Sequence, residues 1–400
     1  MSSRASNGLS QQPGVGRWAF RRFDVGRREE SGRIRRLVLS GLLAAVFCAA
    51  GLIGCQRSQG TPAIPPAPAA AGTAGTSASP PESSQQSTKH PVFDGERAYT
   101  LLKKQCDFGE RPLGSEAHEK LRAYLLEQMR KVADTTVTQE FTYHDMPVTN
   151  IIGIFKAEGQ HGPVEHPVLI MAHWDTRPIA DGPFSSVLHV NPPFKYGPRG
   201  WNRTAPIMGA DDGASGVAVI LELARLFKEK RPPVSVLLLL DDGEDYGDFE
   251  ANNNTGDGVE LGSRYFAKHY RENKAFGQPQ YGILLDMVGA KNLVIPRESN
   301  SQQYAPSIND KVFGIAQSLG YGDIFRGDET QDIEDDHIAV NRAGIPTIDL
   351  IHPLPFGEWV PVSYQYWHTL HDTPDKCSAK ALKAVGDTVA EVIYGESPGQ

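Results

Sequence analysis

Acidic and histidine side chains recur along this chain at the ends of short apolar runs. The run 167–172 is followed at once by His173, and the run 281–285 by Asp286. With comparable positions elsewhere, the candidate metal ligands are His173, Asp175, Asp212, Asp245, Asp286 and His368. Imidazole nitrogens and carboxylate oxygens without thiolates are typical of a catalytic Zn²⁺ site that keeps an open coordination position. Taken singly, each Asp could cap a helix and each His could be a surface or packed residue, so the prediction depends on their joint recurrence.

The adjacent acids Glu244 and Asp245 indicate what such a site could do. Neighbouring side chains at a strand end point in different directions, so one can bind a metal while the other faces a substrate as general acid and base. A metal-bound carbonyl beside a carboxyl of raised pKa is an arrangement for acyl transfer. The alternative is a solvated acidic loop, because Asp241, Asp242 and Asp248 lie alongside.

The elements that must position these residues alternate between strands and helices. Continuous apolar runs are typical of strands buried on both faces, and they predict strands at 167–172, 234–240, 281–285 and 345–351. Amphipathic spacing predicts helices at 94–104, 116–132, 214–228, 261–270, 307–319 and 379–393. This alternation predicts an α/β fold with a largely parallel central sheet. Ligands bind such sheets outside the carboxyl ends of the strands, where the acids and histidines gather.

Bulk composition excludes several classes of protein. A net charge of −8 argues against a nucleic-acid binder that tracks phosphates, because such a surface needs clustered Lys and Arg. Four cysteines in 400 residues are too few for a disulfide-stapled scaffold or a zinc ribbon. Cys106 and Cys377 are the only cysteines beyond residue 55, and whether they pair is left open by the sequence.

The N-terminal residues 1–54 predict a lipoprotein signal peptide. An Arg-rich segment is followed by an apolar stretch, 37–54, that ends at Cys55. The tetrad Leu52-Ile53-Gly54-Cys55 resembles the bacterial lipobox, whose cysteine is acylated. A plain transmembrane anchor is the alternative, since 18 residues are near the lower limit for spanning. Both alternatives predict an exported protein anchored to a membrane, and the first predicts a lipoprotein in the periplasm or at the surface of a bacterium.

Two further segments follow the signal. Residues 55–90 are rich in Pro, Ala and Ser and predict a disordered tether, because they cannot bury enough apolar surface to offset the entropy of ordering. Residues 91–397 contain no second low-complexity break and predict one catalytic domain.

Five motifs in order are similar to those of the zinc aminopeptidase M28 family. They are His173-x-Asp175, Gly209-Ala210-Asp211-Asp212-Gly213-Ala214-Ser215-Gly216, Asp242-Gly243-Glu244-Asp245, Leu285-Asp286-Met287-Val288-Gly289 and Trp367-His368-Thr369. Within that family the chain most resembles the glutaminyl-peptide cyclotransferases of the animal-like type, over residues 91–397. The resemblance implies a single three-layer α/β domain whose central sheet is mixed, mostly parallel and flanked by helices.

Carried over residue by residue, the resemblance implies a zinc site made of Asp212, Asp245 and His368. Glu244 matches the family's proton-transferring glutamate. Asp286 matches an acid that binds a second zinc in the aminopeptidases and positions substrate or relays protons in the cyclases. His173 matches a ligand of the other zinc in dinuclear members. One Zn²⁺ per chain is implied for a cyclase, and two for an aminopeptidase.

Two features favour the cyclase. Glu334-Asp335-Asp336-His337 resembles the cyclases' doubled acid before His, where aminopeptidases usually have Ser-Asp-His, and Asp335 then matches an active-site acid that pairs with Asp286. Trp367 precedes His368, and in the cyclases this Trp packs against the substrate glutamine. From the residues alone, Asp335 could be a helix N-cap and Trp367 ordinary core packing. The predicted reaction converts the N-terminal Gln of a peptide or protein to pyroglutamate with release of ammonia, and the alternative is a metalloaminopeptidase.

Two positions depart from the family pattern. The usual Glu ligand is Asp245 here, which is shorter by one methylene. Animal cyclases have a histidine in the last core strand where this chain has Asp349.

Overall fold

A six-stranded mixed β-sheet lies at the centre of the part of the chain that the computed structural model describes, namely residues 90–182, 205–247, 258–329, 332–353 and 366–397. The strands in chain order are β1 Thr135–Tyr143, β2 Met146–Phe155, β3 Val168–His173, β4 Val236–Asp241, β5 Tyr281–Asp286, β6 Ile295–Arg297, β7 Phe325–Glu329 and β8 Thr347–Ile351. The helices are α1 Gly95–Cys106, α2 Glu116–Val132, α3 Ala214–Glu229, α4 Leu261–His269, α5 Ser299–Tyr304, α6 Pro306–Ser318, α7 Asp336–Arg342 and α8 Ala379–Tyr394.

The strand order of the main sheet is β1-β2-β4-β3-β5-β8. Strands β4, β3, β5 and β8 run parallel, whereas β1 and β2 are added as an antiparallel hairpin. Residues His144 and Asp145 form its two-residue turn with φ of 45° and 66°. Two successive positive φ values are typical of a type I′ turn, whose twist matches that of the paired strands. Strands β6 and β7 form a separate parallel pair.

Helices cover both faces of the sheet. Every residue of β3, β4, β5 and β8 is buried, which is why these strands are continuously apolar. One core contains Ile170, Leu238 and Leu285 together with side chains of α1, α2, α3, α6 and α8. The other contains Met171 and Leu239 together with side chains of α4 and α7. The predicted three-layer α/β fold with a mixed, mostly parallel sheet is confirmed.

The predicted elements correspond to observed ones, and the elements that were not predicted include the edge strand β1 and the short helices α5 and α7. Strand β1, Thr-Thr-Val-Thr-Gln-Glu-Phe-Thr-Tyr, lies at the edge of the sheet and is partly exposed along its length. An edge strand needs no continuous apolar run, so a search for such runs misses it. Helices α5 and α7 have six and seven residues, too few for a clear amphipathic period.

Several predictions about the N-terminal part of the chain concern residues that the structure does not describe. Cys55, the signal 1–54 and almost all of the tether lie outside the described ranges. Within those ranges, no helix combines the length and apolarity needed to cross a bilayer. Cys106 and Cys377 are both buried and both free thiols.

Candidate metal centre

The carboxyl ends of three neighbouring parallel strands bring the predicted residues together. His173 is the last residue of β3 and Asp286 the last of β5, while β4 lies on the other side of β3 and leads to Glu244 and Asp245. Asp212 precedes α3, in a turn that Gly213 allows with φ of 95°. These segments meet because parallel strands end at the same edge of a sheet.

One group of potential ligands consists of Asp212, Asp245 and His368. His368 Nε2 lies 3.4 Å from Asp212 Oδ2 and 3.2 Å from Asp245 Oδ1, and all three side chains are buried. Asp212 Oδ2 and Asp245 Oδ2 are buried oxygens without a hydrogen-bond partner among the described residues. Buried carboxylate oxygens of this kind need a cation or a donor. Two carboxylates and one imidazole therefore fit a zinc ion.

A second group shares Asp212 with the first and adds His173 and Asp286. His173 Nε2 lies 3.2 Å from Asp212 Oδ1 and 3.2 Å from Asp286 Oδ1. The arrangement can serve either as a second metal site bridged by Asp212 or as a hydrogen-bonded imidazole between two carboxylates.

Burial and mutual charge effects both shift pKa values in the first group. Burial, followed by the charge of Asp245, raises the pKa of Asp212 to about 6. Burial, the largest single effect, opposes the protonation of His368, but the charge of Asp245 and the hydrogen bonds to Asp181 and Asp245 together outweigh it and raise the pKa of His368 to about 9. The proton on His368 neutralises part of the acidic pair when no cation is bound. A metal ion replaces that proton, so binding releases protons to solvent.

Glu244 and Asp245 face different partners, as predicted for adjacent acids. Asp245 contacts His368, whereas Glu244 Oε2 lies 3.8 Å from His173 Nδ1. Both backbone N–H groups donate to Asp175, at 3.1 Å from Glu244 and 3.3 Å from Asp245. Burial, and then the charge of Asp245, raises the pKa of Glu244 well above its ordinary value. A carboxyl so placed can hold a proton and return it.

The alternative of a solvated acidic loop is wrong for the residues that the structure describes. Asp241 and Asp242 are fully buried. Asp242 lies 2.7 Å from His118 Nε2 and accepts a hydrogen bond from Thr149 N, so it has a structural role. Asp248 lies outside the described ranges.

Asp335 is both a helix cap and a neighbour of the site acids. It is the N-cap of α7 and accepts a hydrogen bond from Asp336 N at 2.5 Å. Burial, followed by the charge of Asp286, raises its pKa well above the ordinary value. Asp349, in β8, is also buried, and His337 Nδ1 lies 3.9 Å from its carboxylate.

Trp367 stacks on the ring of His368, with 3.7 Å between the ring centroids and 20° between their planes. It also packs against the main hydrophobic core while remaining partly exposed. Core packing therefore accounts for part of its role, and its contact with a substrate glutamine stays a prediction.

The supporting residues of the site were not predicted in their roles. Asp175 was a candidate ligand, but it is absent from both groups and its carboxylate accepts the two backbone N–H groups instead. Asp372 accepts from Asp211 N and Asp212 N at 2.9 and 3.1 Å. Arg177 and Asp181 contact the candidate ligands Asp245 and His368. The spacing Arg-x-x-x-Asp could have suggested an ion pair, yet nothing local shows that it faces a ligand.

Comparisons with known proteins find similarity both to a glutaminyl cyclase and to aminopeptidases. Glutaminyl cyclase of Bacteroides thetaiotaomicron is 35% identical and superimposes with a TM-score of 0.66 over 77% of this chain and 100% of that one. A leucine aminopeptidase precursor from Bacteroides thetaiotaomicron VPI-5482 is also 35% identical, with a TM-score of 0.65 over 77% of this chain and 99% of that one. Aminopeptidase YwaD of Bacillus subtilis (strain 168) is 24% identical over 254 residues, which cover 61% of this chain and 44% of that protein.

The chain spans less than half the length of the curated relatives that it matches. The sequence model of Peptidase family M28 matches residues 150–393, which include both groups of potential ligands. The chain belongs to peptidase family M28.

Proposed function

We propose that this protein is a zinc-dependent glutaminyl-peptide cyclotransferase that converts the N-terminal Gln of peptides or proteins to pyroglutamate and releases ammonia. The observation that carries the proposal is the placement of Asp335, from the doubled acid before His337, in the buried acidic group around Asp286. The similarity to a bacterial glutaminyl cyclase supports it. Asp212, Asp245 and His368 would hold the metal.

The reaction forms one bond and breaks another within the same substrate. The α-amine nitrogen attacks the γ-carboxamide carbon, the C–N bond to the amide nitrogen breaks, and ammonia leaves. Glu244 accepts a proton from the amine and returns one to the leaving nitrogen. A zinc ion held by Asp212, Asp245 and His368 would supply Lewis-acid polarisation of the carboxamide. No external nucleophile is needed, so the protein mainly holds the two substrate groups together.

Asp286 and Asp335 would bind the α-amine. Burial and the charge of Asp286 raise the pKa of Asp335 well above its ordinary value, so Asp335 would keep a proton and donate a hydrogen bond while Asp286 would accept one. Trp367 would pack against the glutamine side chain. One zinc per chain is proposed because, among the residues of the two ligand groups, the buried carboxylate oxygens without a hydrogen-bond partner are those of Asp212 and Asp245.

A second candidate function is a metalloaminopeptidase. The shared position of Asp212 between two ligand groups favours it, because a second metal on His173 and Asp286 would suit hydrolysis by a bound water. The similarity to a leucine aminopeptidase precursor also supports this alternative.

One pair of assays separates the two functions. The full chain, purified in detergent, is given a Gln-initiated peptide and a leucyl-arylamide, and ammonia and arylamine are measured together with zinc content. We expect ammonia release from the Gln-initiated peptide, with about one zinc per chain. The same peptide with an acetylated N-terminus should release no ammonia, because its α-amine is blocked. Arylamine release with about two zinc per chain and no ammonia would overturn the cyclase proposal.

We further propose that the protein is an exported lipoprotein, anchored through an acylated Cys55 after removal of residues 1–54. The lipobox-like tetrad at the end of an apolar segment supports this proposal. In a bacterial host, the Cys55→Ser variant should lose incorporation of a labelled fatty acid. Equal labelling of the variant and the parent protein would contradict the assignment.

A further inference from the structure

Arg177 is a buried cation in contact with a candidate metal ligand. Its Nη1 donates to Asp245 Oδ1 at 3.1 Å and to the backbone oxygen of the same residue at 3.1 Å. The same nitrogen donates to Gly247 O at 3.0 Å. One guanidinium nitrogen therefore ties the Asp245 carboxylate to its own backbone, which fixes the direction of the side chain.

Asp181 holds the guanidinium on its other side. Arg177 Nε and Nη2 each donate to one carboxylate oxygen of Asp181 at 2.7 Å. This is the bidentate geometry in which Arg and a carboxylate bind most specifically. The Arg177–Asp181 pair carries no net charge, so it can orient the Asp245 carboxylate without adding net charge beside a bound zinc ion.

Asp181 also reaches the second ligand. His368 Nδ1 lies 3.3 Å from Asp181 Oδ1, while Nε2 of the same ring faces Asp212 and Asp245. The backbone of His368 has φ of 52°, and its oxygen accepts a hydrogen bond from Gly182 N at 2.9 Å. A carboxylate on the far nitrogen of a metal-binding imidazole fixes the ring and its tautomer.

We propose that Arg177 and Asp181 are positioning residues that act together on Asp245 and His368 and so set the metal affinity of the site. The inference rests on the proposed zinc site. It also accounts for the shortened ligand: Asp245 lacks one methylene relative to the family's usual Glu, and Arg177 holds the shorter side chain in place. An ion pair that only stabilised the fold would leave zinc affinity unchanged in every folded variant.

The test measures zinc affinity independently of activity, on the full chain in detergent. Arg177→Gln removes the charge and the bidentate bond. Arg177→Lys keeps the charge but cannot make the planar, forked contact. Asp181→Asn keeps the size and weakens the hold on His368. Arg225→Gln is the matched control, because Arg225 also pairs with a buried carboxylate, that of Glu222, in a pair that includes no candidate ligand.

Zinc dissociation constants come from competition with a chelator, and the visible absorption of Co²⁺-substituted protein reports ligand geometry. We expect Arg177→Gln and Asp181→Asn to raise the dissociation constant about 10- to 100-fold and to change the Co²⁺ spectrum. Arg177→Lys should recover part of the affinity, and Arg225→Gln should match the parent.

The outcomes separate this inference from the proposed function. A parent protein that binds zinc but makes neither product overturns the proposed function alone. A folded Arg177→Gln variant whose zinc affinity is within about twofold of the parent overturns the inference alone. If Arg177→Gln does not fold, unchanged affinity and Co²⁺ spectra in Arg177→Lys and Asp181→Asn overturn it equally. A parent that binds no zinc overturns both.

Discussion

Replacing Gly216 by alanine tests how closely α3 must approach the strand ends that carry the site. A Cβ at Gly216 would lie 2.0 Å from Leu285 O and 2.9 Å from the Cβ of Ala172. The first distance is about 1.4 Å short of the 3.4 Å at which ordinary contact begins. Leu285 precedes Asp286 and Ala172 precedes His173, so the added methyl group would push α3 away from both strand ends.

The expected loss of stability follows from this contact. Overpacking costs about 1–3 kcal/mol, and a backbone oxygen cannot rotate away as a side chain could, so the upper end applies. The helix preference of Ala over Gly returns up to about 1 kcal/mol. We therefore expect the free energy of unfolding to fall by about 2 kcal/mol. Zinc affinity should also fall, because Asp212 lies just before α3.

Gly314→Ala is the matched control. Gly314 lies inside α6, is exposed, and a Cβ there would meet no atom within 4 Å. Without a clash, the substitution should stabilise the protein by about 0.5–1 kcal/mol. Urea unfolding in the presence of a chelator gives the free energy of unfolding of the parent and of both variants. A zinc titration of the same proteins then gives their zinc affinities. The reasoning is refuted if Gly216→Ala is as stable as Gly314→Ala.

Three further predictions concern the site and its surroundings. Glu244→Gln should reduce product formation about 100- to 10,000-fold while zinc content stays at the parent level, and loss of zinc would contradict a role limited to proton transfer. Removing zinc with a chelator should lower the free energy of unfolding by about 4 kcal/mol, relative to the protein in free zinc at about 1,000 times the zinc dissociation constant. The Asp212→Asn variant should have the same free energy of unfolding with and without zinc. Burial, followed by the charges of Asp335 and Asp286, raises the pKa of Asp349 well above its ordinary value. The unfolded chain then loses this proton at lower pH than the folded protein, so this group makes stability fall as pH rises above about 4. Asp349→Asn should flatten that fall above about pH 4 in urea unfolding of zinc-free protein, and an unchanged slope would argue against it.

The strands buried on both faces and the long amphipathic helices could be predicted closely from the sequence. The helix expected at 116–132 is observed as Glu116–Val132, and the strand expected at 281–285 as Tyr281–Asp286. A strand covered by helices on both faces must be apolar throughout, and a long surface helix must repeat its apolar face. The hairpin of β1 and β2 obeys neither rule strictly, because β1 is an edge strand with polar residues on a partly exposed surface.

The ligand groups could be anticipated because parallel strands deliver their last residues to one place. The residues that hold these ligands in place could not be anticipated from the sequence. Asp372 binds the backbone N–H of Asp212 from 160 residues further along the chain, and Asp181 meets His368 across a similar sequence distance. Such contacts depend on how loops cross the end of the sheet, which leaves no period or motif in the local sequence.

The long separations within the metal centre have a consequence for folding. Asp212, Asp245 and His368 meet only after β3, β4 and β5 have paired and the segment before α8 has docked, so large loops must close before any ion can be held. Zinc therefore binds the native state and not an early folding nucleus. Because interactions absent from the transition state act on unfolding, zinc should slow unfolding and leave the folding rate nearly unchanged.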